Sequence, residues 1–188
     1  MISGTINSTF SYDANGNLTG GNNRSLTWHA FNQPATITNG ANAIGFLYDV
    51  DHGRMWQGLS ASSGILYLDA FGVHSELLIS ATQSWNDYIV AGGAFVAMRA
   101  VSGATTATRY FHADNLGSIA VITDETGAVV PNGRQGYDAW GKRRWPSGAD
   151  DTGNLPASQV TRGFTGEELL RVPGYVHLNG RLGACPRA

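Results

Sequence analysis

The sequence predicts an all-β chain of repeated antiparallel β-hairpins. Three observations carry that reading: aromatic residues at near-even spacing, turn-forming dipeptides between them, and an excess of glycine over charge. Aromatic-centred segments fall at Tyr12, Trp28, Tyr48, Tyr67, Tyr88, Tyr110 and Tyr137, with gaps of 16, 20, 19, 21, 22 and 27 residues. A strand runs about five or six residues, so such a repeat holds two strands and two turns. One unit is too small to bury a face alone, and neighbours must stack to share a core. Glycine, 25 of 188 residues, stands at about twice its usual share, while charged residues make up only 14%. That balance excludes a highly charged disordered tail and supplies the turns that strands need. Val, Ile, Thr, Tyr and Trp carry much of the apolar content, as strands prefer.

Taken in order, Asn15-Gly16 is a two-residue hairpin signal, because a type I′ turn needs positive φ at both central positions. The same reasoning marks 20–23 and 49–53. Val121 to Val130 sets β-branched residues on both sides of Asp124-Glu125-Thr126-Gly127, which predicts strand, turn, strand and the clearest hairpin of the chain. No window of eleven residues keeps a helical apolar pattern; short helical turns are expected only near Gly166 to Arg171. Composition shifts at about Trp145 to Pro156, a loop rich in Pro, Gly and Asp. After it, Arg162 to Gly166 and Gly174 to Arg181 resume a strand-like pattern.

The formal net charge is −2, from 12 basic and 14 acidic residues, with a pI near 6.2. No global field draws in nucleic acid or an anionic membrane, so no nucleic-acid partner is expected. The longest apolar stretch, Tyr88 to Met98, is too short to cross a bilayer and contains Gly92-Gly93. The first residues lack the basic and apolar regions of a cleaved export signal; localisation stays open. Cys185 is the single cysteine and has no internal partner for a disulfide.

Several motifs then carry a resemblance. Tyr12-Asp13-Ala14-Asn15-Gly16-Asn17-Leu18-Thr19, followed by Leu26-Thr27-Trp28 and Ala30-Phe31-Asn32, resembles the YD repeat of Rhs proteins, and Tyr48-Asp49-Val50-Asp51-His52-Gly53-Arg54-Met55 resembles a second copy. Tyr110-Phe111-His112-Ala113-Asp114-Asn115-Leu116-Gly117-Ser118, then Thr123 to Gly127, then Tyr137-Asp138-Ala139-Trp140-Gly141-Lys142-Arg143-Arg144, is similar to the Rhs repeat-associated core. Arg162-Gly163-Phe164-Thr165-Gly166 and His177-Leu178-Asn179-Gly180-Arg181 continue it in order. The resemblance implies a YD-repeat region over 1–109, an incomplete Rhs repeat-associated core over 110–181, and a divergent tail over 182–188. It implies a curved sheet strip from the wall of an Rhs-type β-cocoon that encloses a C-terminal toxin. The implied partners are the remaining Rhs repeats or the toxin domain of a longer parent.

The family's core ends in an Asp-Pro segment where an internal aspartyl protease frees the toxin. No Asp-Pro dipeptide occurs in these 188 residues. The expectation is therefore a fragment of a longer Rhs protein with no self-cleavage at the usual place. Its open sheet edges make the isolated chain prone to self-association or marginal stability.

Candidate sites weigh lightly. His112 and Asp114 share a strand face and, with His177, suit a small metal or acid–base cluster, against which stands a plain turn ahead of Leu116-Gly117-Ser118. Asp13, Asn15 and Asn17 alternate like calcium-loop ligands, but the sixth and twelfth positions are Leu18 and Arg24 instead of Gly and Glu. Lys142-Arg143-Arg144 between Trp140 and Trp145 suits base or sugar stacking, yet three charges fall short of a nucleic-acid footprint, and a solvated strand end is the expected reading. Asp124, Asp138 and Arg181 resemble the remnants of a proteolytic set without a bond to cut. The aromatic series suits either a glycan platform or cross-strand packing, and packing is expected. The expectation is a non-catalytic structural fragment with no catalytic, cofactor or metal residues; the alternative is a cell-surface carbohydrate-binding or adhesion module.

Overall fold

The computed structural model describes residues 9–21, 23–60, 63–70, 73–149, 160–170, 175–177 and 182–184. The expected all-β class is the class observed. Thirteen consecutive strands form one antiparallel meander: β1 (Ser11–Tyr12), β2 (Leu18–Gly21), β3 (Arg24–Trp28), β4 (Pro34–Asn39), β5 (Asn42–Tyr48), β6 (Arg54–Ser60), β7 (Ser63–Ala70), β8 (Val73–Ile79), β9 (Ser84–Ala91), β10 (Ala94–Ser102), β11 (Thr105–Ala113), β12 (Ile119–Thr123) and β13 (Val129–Arg134). Each strand pairs only with its sequence neighbours, so every contact within the sheet is local along the chain. Two small sheets follow, β14 (Gly136–Tyr137) with β15 (Arg143–Arg144), and β16 (Glu168–Leu170), β17 (Tyr175–His177) and β18 (Leu182–Ala184). The division expected between residues 109 and 110 falls inside β11.

One turn design recurs. At Asp13 the backbone N–H donates to Asn17 O (2.9 Å), Gly16 N–H donates to Asp13 O (3.1 Å), and Gly16 holds φ +83°. The Asp13 Oδ1 accepts the N–H groups of Asn15 (2.9 Å) and Asn17 (2.8 Å). This is a three-residue loop, a type I turn followed by a left-handed residue that forms a bulge. The pairing register shifts beside it, between Ser11 and Tyr12. The same backbone closure recurs at His29, Asp49, Asp114, Asp124, Asp138, Trp145 and Gly163. At each Asp the carboxylate again accepts the N–H groups of the residues two and four positions after it.

That finding corrects the type I′ expectation at Asn15-Gly16. The aspartate pulls the two preceding loop residues into a right-handed turn, so only the fourth residue needs positive φ. At the Asp49 loop that residue is His52, with φ +65°. A glycine pair with positive φ at both positions does occur, at Gly92-Gly93 between the paired Ala91 and Ala94. At 20–23, Gly21 pairs with Arg24, and residue 22 lies outside the described residues. The hairpin predicted over 121–130 is present as β12 and β13 around the Asp124 loop.

Alternation along the strands sends one face inward. Its core has two parts. Leu26, Ile37, Ile44 and Phe46 form one, joined by Leu170; Tyr88, Met98, Ala100, Phe111, Ile119, Ile122 and Val130 form the other, joined by Val160. The segment 160–170 therefore lies on the inner face and supplies one apolar residue to each part. It folds back on itself: Leu169 N–H donates to Thr161 O (3.0 Å), Arg162 bridges Glu168, and Gly163 to Glu167 makes the tip. Of the short helical turns expected near 166–171, the structure has one 3-10 turn, at Phe164–Gly166, and β16 follows it. The strand-like reading of 162–166 fails for the same reason: Gly166 takes φ +73° to close the tip.

Candidate functional site

The inner hairpin 160–170 meets the sheet through charge as well as apolar contact. Arg162 and Glu168 are directly opposed in the hairpin, so their side chains share a face. Glu168 is 1% exposed and receives three donors from the sheet: the Arg54 guanidinium, Gln57 Nε2 (3.0 Å) and Tyr67 OH (2.7 Å). Arg54 also lies over the Tyr67 ring, 4.3 Å from its centroid. On the other leg the signs reverse. Glu76 of β8 is fully buried and accepts from Thr161 Oγ1 at 3.0 Å, with Tyr88 OH at 3.5 Å and Arg162 Nη2 at 3.9 Å. Arg162 stacks over Phe95 at 4.4 Å and Tyr88 at 5.4 Å.

His74 closes the group. Its Nδ1 stands 2.6 Å from Asp69 Oδ1, and Arg162 Nη2 donates to its Nε2 at 2.7 Å. A neutral ring carrying its proton on Nδ1 satisfies both contacts. Between these side chains lies a polar cavity of about 330 Å³, bordered by Tyr48, Arg54, Asp69, His74, Arg162 and Glu167. Burial pushes the Tyr67 and Tyr88 phenols far up and the Tyr48 phenol up to about 12. All three are neutral donors at physiological pH. Burial also raises the Glu167 carboxyl above its ordinary value.

The chemistry of this arrangement is fastening. Each buried carboxylate faces an arginine and hydroxyl donors, so its lone pairs are engaged and its charge is met. Breaking one such pair by truncating a partner typically costs about 3–5 kcal/mol, because the other charge stays buried.

The residues singled out from sequence fall as follows. Asp114 spends its Oδ1 on Leu116 and Ser118 N–H, and His112 Nε2 contacts Thr123 Oγ1 at 3.0 Å; His177 lies in β17, where its side chain is outside the described residues. Asp13 and Asn17 bond each other within their turn, with Asn17 Nδ2 2.9 Å from Asp13 Oδ2. Asp124 and Asp138 hold turns, and Arg181 lies outside the described residues. Arg143 corrects an expectation: it is no solvated strand end but 4% exposed, and its guanidinium donates to Arg162 O at 2.8 Å, securing the inner hairpin from behind. Arg144 reaches Asp138 at 3.4 Å. Of the aromatic series, Tyr67 and Tyr88 are buried, and Trp28, Tyr48 and Tyr137 each donate to a backbone carbonyl. Tyr12 and Tyr110 are exposed, at 62% and 44%. Sequence reasoning missed Glu76, Glu168, Arg54 and His74. Two acidic residues amid strand-forming apolar residues, Glu76 before Leu77-Leu78 and Glu168 before Leu169-Leu170, were the available signal.

No protein family profile matches the sequence. No curated protein matches it either. Solved structures do. The Photorhabdus luminescens Tc holotoxin pore, with a TccC3 variant, aligns at a TM-score of 0.68 and 16% identity, covering 91% of this chain and 9% of that one. A TcdB2–TccC3–Cdc42 structure aligns at 0.62 and 17% identity, covering 91% and 9%. TcdB2–TccC3 without its hypervariable C-terminal region aligns at 0.62 and 14%, covering 85% and 8%. At these identities the likeness is one of fold, and this chain spans about a tenth of the length of each. Its fold, a strip of successive antiparallel hairpins of the Rhs-type cocoon kind, is the fold of a stretch of these toxin chains.

Proposed function

We propose that the chain is a non-catalytic stretch of shell wall from an Rhs/YD-repeat polymorphic toxin, whose full shell would enclose a C-terminal toxin. Two things support this reading. The strip matches Tc toxin chains over 91% of its length while spanning only 9% of theirs, as a segment of a larger wall would. The observation that carries it is the inner hairpin: the chain covers the inner face of its own strip and spends both buried carboxylates on holding that cover. The remaining repeats and the enclosed domain are the partners this reading assigns.

The test is made on the longer reading frame. Coding sequence with YD repeats upstream and a variable domain followed by a small immunity-type gene downstream is the expected finding; unrelated sequence on both sides, in every frame, defeats it. Intact-mass measurement over days at neutral and mildly acidic pH tests the non-catalytic part, with a constant mass expected.

A further inference from the structure

His74 lies where the sheet and the inner hairpin exchange polar partners, and one protonation state alone fits its surroundings. Its Nδ1 stands 2.6 Å from a carboxylate oxygen, Asp69 Oδ1, and its Nε2 stands 2.7 Å from a guanidinium nitrogen, Arg162 Nη2. A guanidinium has no acceptor, so the second contact exists only while Nε2 keeps its lone pair free. A proton added at Nε2 would aim two donors at each other and set two positive charges within hydrogen-bond distance. A second acceptor stands beside the pair. Glu76 Oε1 lies 3.7 Å from His74 Nε2 and 3.9 Å from Arg162 Nη2, almost equidistant from the two.

Each element packed against the ring contributes a known group. Strand β7 brings Asp69 and Tyr67, β8 brings Glu76, β9 brings Tyr88, β10 brings Phe95, and the hairpin brings Arg162. Burial keeps the Tyr67 and Tyr88 phenols neutral. Arg54, Glu167, Glu168 and a second imidazole, the exposed His52, border the same cavity. Arg54, Gln57 and Tyr67, which hold Glu168, take up no proton in mild acid. Burial raises the Glu167 carboxyl and Arg162 acts against that rise, so the carboxyl is answered by the guanidinium. His52 stacks on Phe31, with ring centroids 4.1 Å apart.

We propose that His74 is a proton-operated partner switch on one leg of the inner hairpin: protonated, its Nε2–H turns to Glu76, and Arg162 leaves the ring for the polar cavity beside Glu167. Imidazole is the side chain that takes up a proton between about pH 5 and 8. The His74 side chain keeps 17% of its surface exposed, which gives a proton from solvent its way in. The cavity, of about 330 Å³, has room for the displaced guanidinium. Glu76 exchanges an arginine at 3.9 Å for an imidazolium and so keeps a countercharge. Overall stability therefore stays level through the exchange, while the leg from Val160 to Arg162 loses one of its ties. The Glu168 leg, held without an imidazole, stays closed. The switch concerns how the cover is fastened and stands whether or not the chain is part of a toxin shell.

The test compares the 188-residue chain at about pH 7.5 and about pH 5.5. Nitrogen NMR of the His74 ring reads tautomer and charge, and hydrogen exchange, corrected for the intrinsic pH dependence of amide exchange, reads each leg. The expected ring is neutral with its proton on Nδ1 at the higher pH and an imidazolium at the lower. Protection of the 161–163 amides should fall about fivefold or more between the two, while that of 168–170 holds. His74→Gln should abolish this step, because its amide does not titrate and its carbonyl oxygen still accepts from Arg162. His52→Gln should leave the step in place, and the thermal unfolding midpoint should match at the two pH values. A proton on Nε2 at the higher pH, a step that survives in His74→Gln, loosening of both legs together, or no step at all overturns the proposal. Should His74→Gln fail to fold, the tautomer and the His52→Gln chain still decide it.

Discussion

The two legs of the inner hairpin solve one problem with opposite charges. On the β16 leg the hairpin brings the carboxylate, Glu168, and the sheet brings Arg54; on the leg of Val160 to Arg162 the sheet brings the carboxylate, Glu76, and the hairpin brings Arg162. The first is a direct ion pair with two further donors, while the second runs chiefly through the Thr161 hydroxyl, with the arginine at 3.9 Å. The difference teaches how register is set. Apolar plugs such as Val160 and Leu170 tolerate sliding, whereas reversed charges on adjacent legs penalise it, because exchanging the legs opposes Glu168 to Glu76.

The most damaging way to break this contrast is Glu168→Ala, which strands Arg54 and removes the acceptor of Tyr67 and Gln57. A loss of about 3–5 kcal/mol in denaturant unfolding is expected, and Glu168→Gln loses less. A loss below that of Leu170→Ala would mean that Arg54 finds water instead. Next, Leu170→Ala empties a fully buried site for about 2–4 kcal/mol, and Val160→Ala costs about 1–2 kcal/mol. Equal losses at the two plugs would mean that the Leu170 site collapses around the deletion. A double-mutant cycle on Arg162 and Glu76 sharpens the comparison further: a coupling of about 1 kcal/mol is expected, below that of Arg54 with Glu168.

Acid should also act on the turns. The Asn17 side-chain and backbone donors hold the Asp13 carboxyl below its ordinary value, and Thr126 does the same for Asp124. A depressed folded-state pKa adds stability above the unfolded value and loses it as pH falls through the folded one. Thermal melts from pH 7 downward should stay level until the ordinary carboxylate range and then decline modestly, with Asp13→Asn flattening part of the decline. A decline that begins near neutrality would contradict that assignment.

The sheet was legible because its cause is local. Aromatic spacing and Gly-rich turns mark hairpins, and a meander needs no long-range pairing to assemble. The turn type was misread at Asn15-Gly16 because the deciding atom is the Asp13 carboxylate, two residues upstream; the three-residue step from Asp to Gly at 13–16, 114–117, 124–127 and 138–141 was the unread signal. The polar junction was hidden for the opposite reason. Glu168 meets Arg54 across 114 positions of chain, and Thr161 meets Glu76 across 85, distances at which periodicity carries no information. Arg143 was misjudged because its basic neighbours suggested solvent, while its role depends on the carbonyl of Arg162.

The bulged loops at Asp13, His29 and Asp49 all sit on one margin of β1 to β6, whereas on the opposite margin β4 and β5 turn with two residues at 40–41. A ribbon that gathers extra backbone along a single hem cannot lie flat. Asp13 and Asp49, which start two of these loops, thus do more than close hairpins: by deciding which hem is longer, they choose the direction in which the ribbon curls.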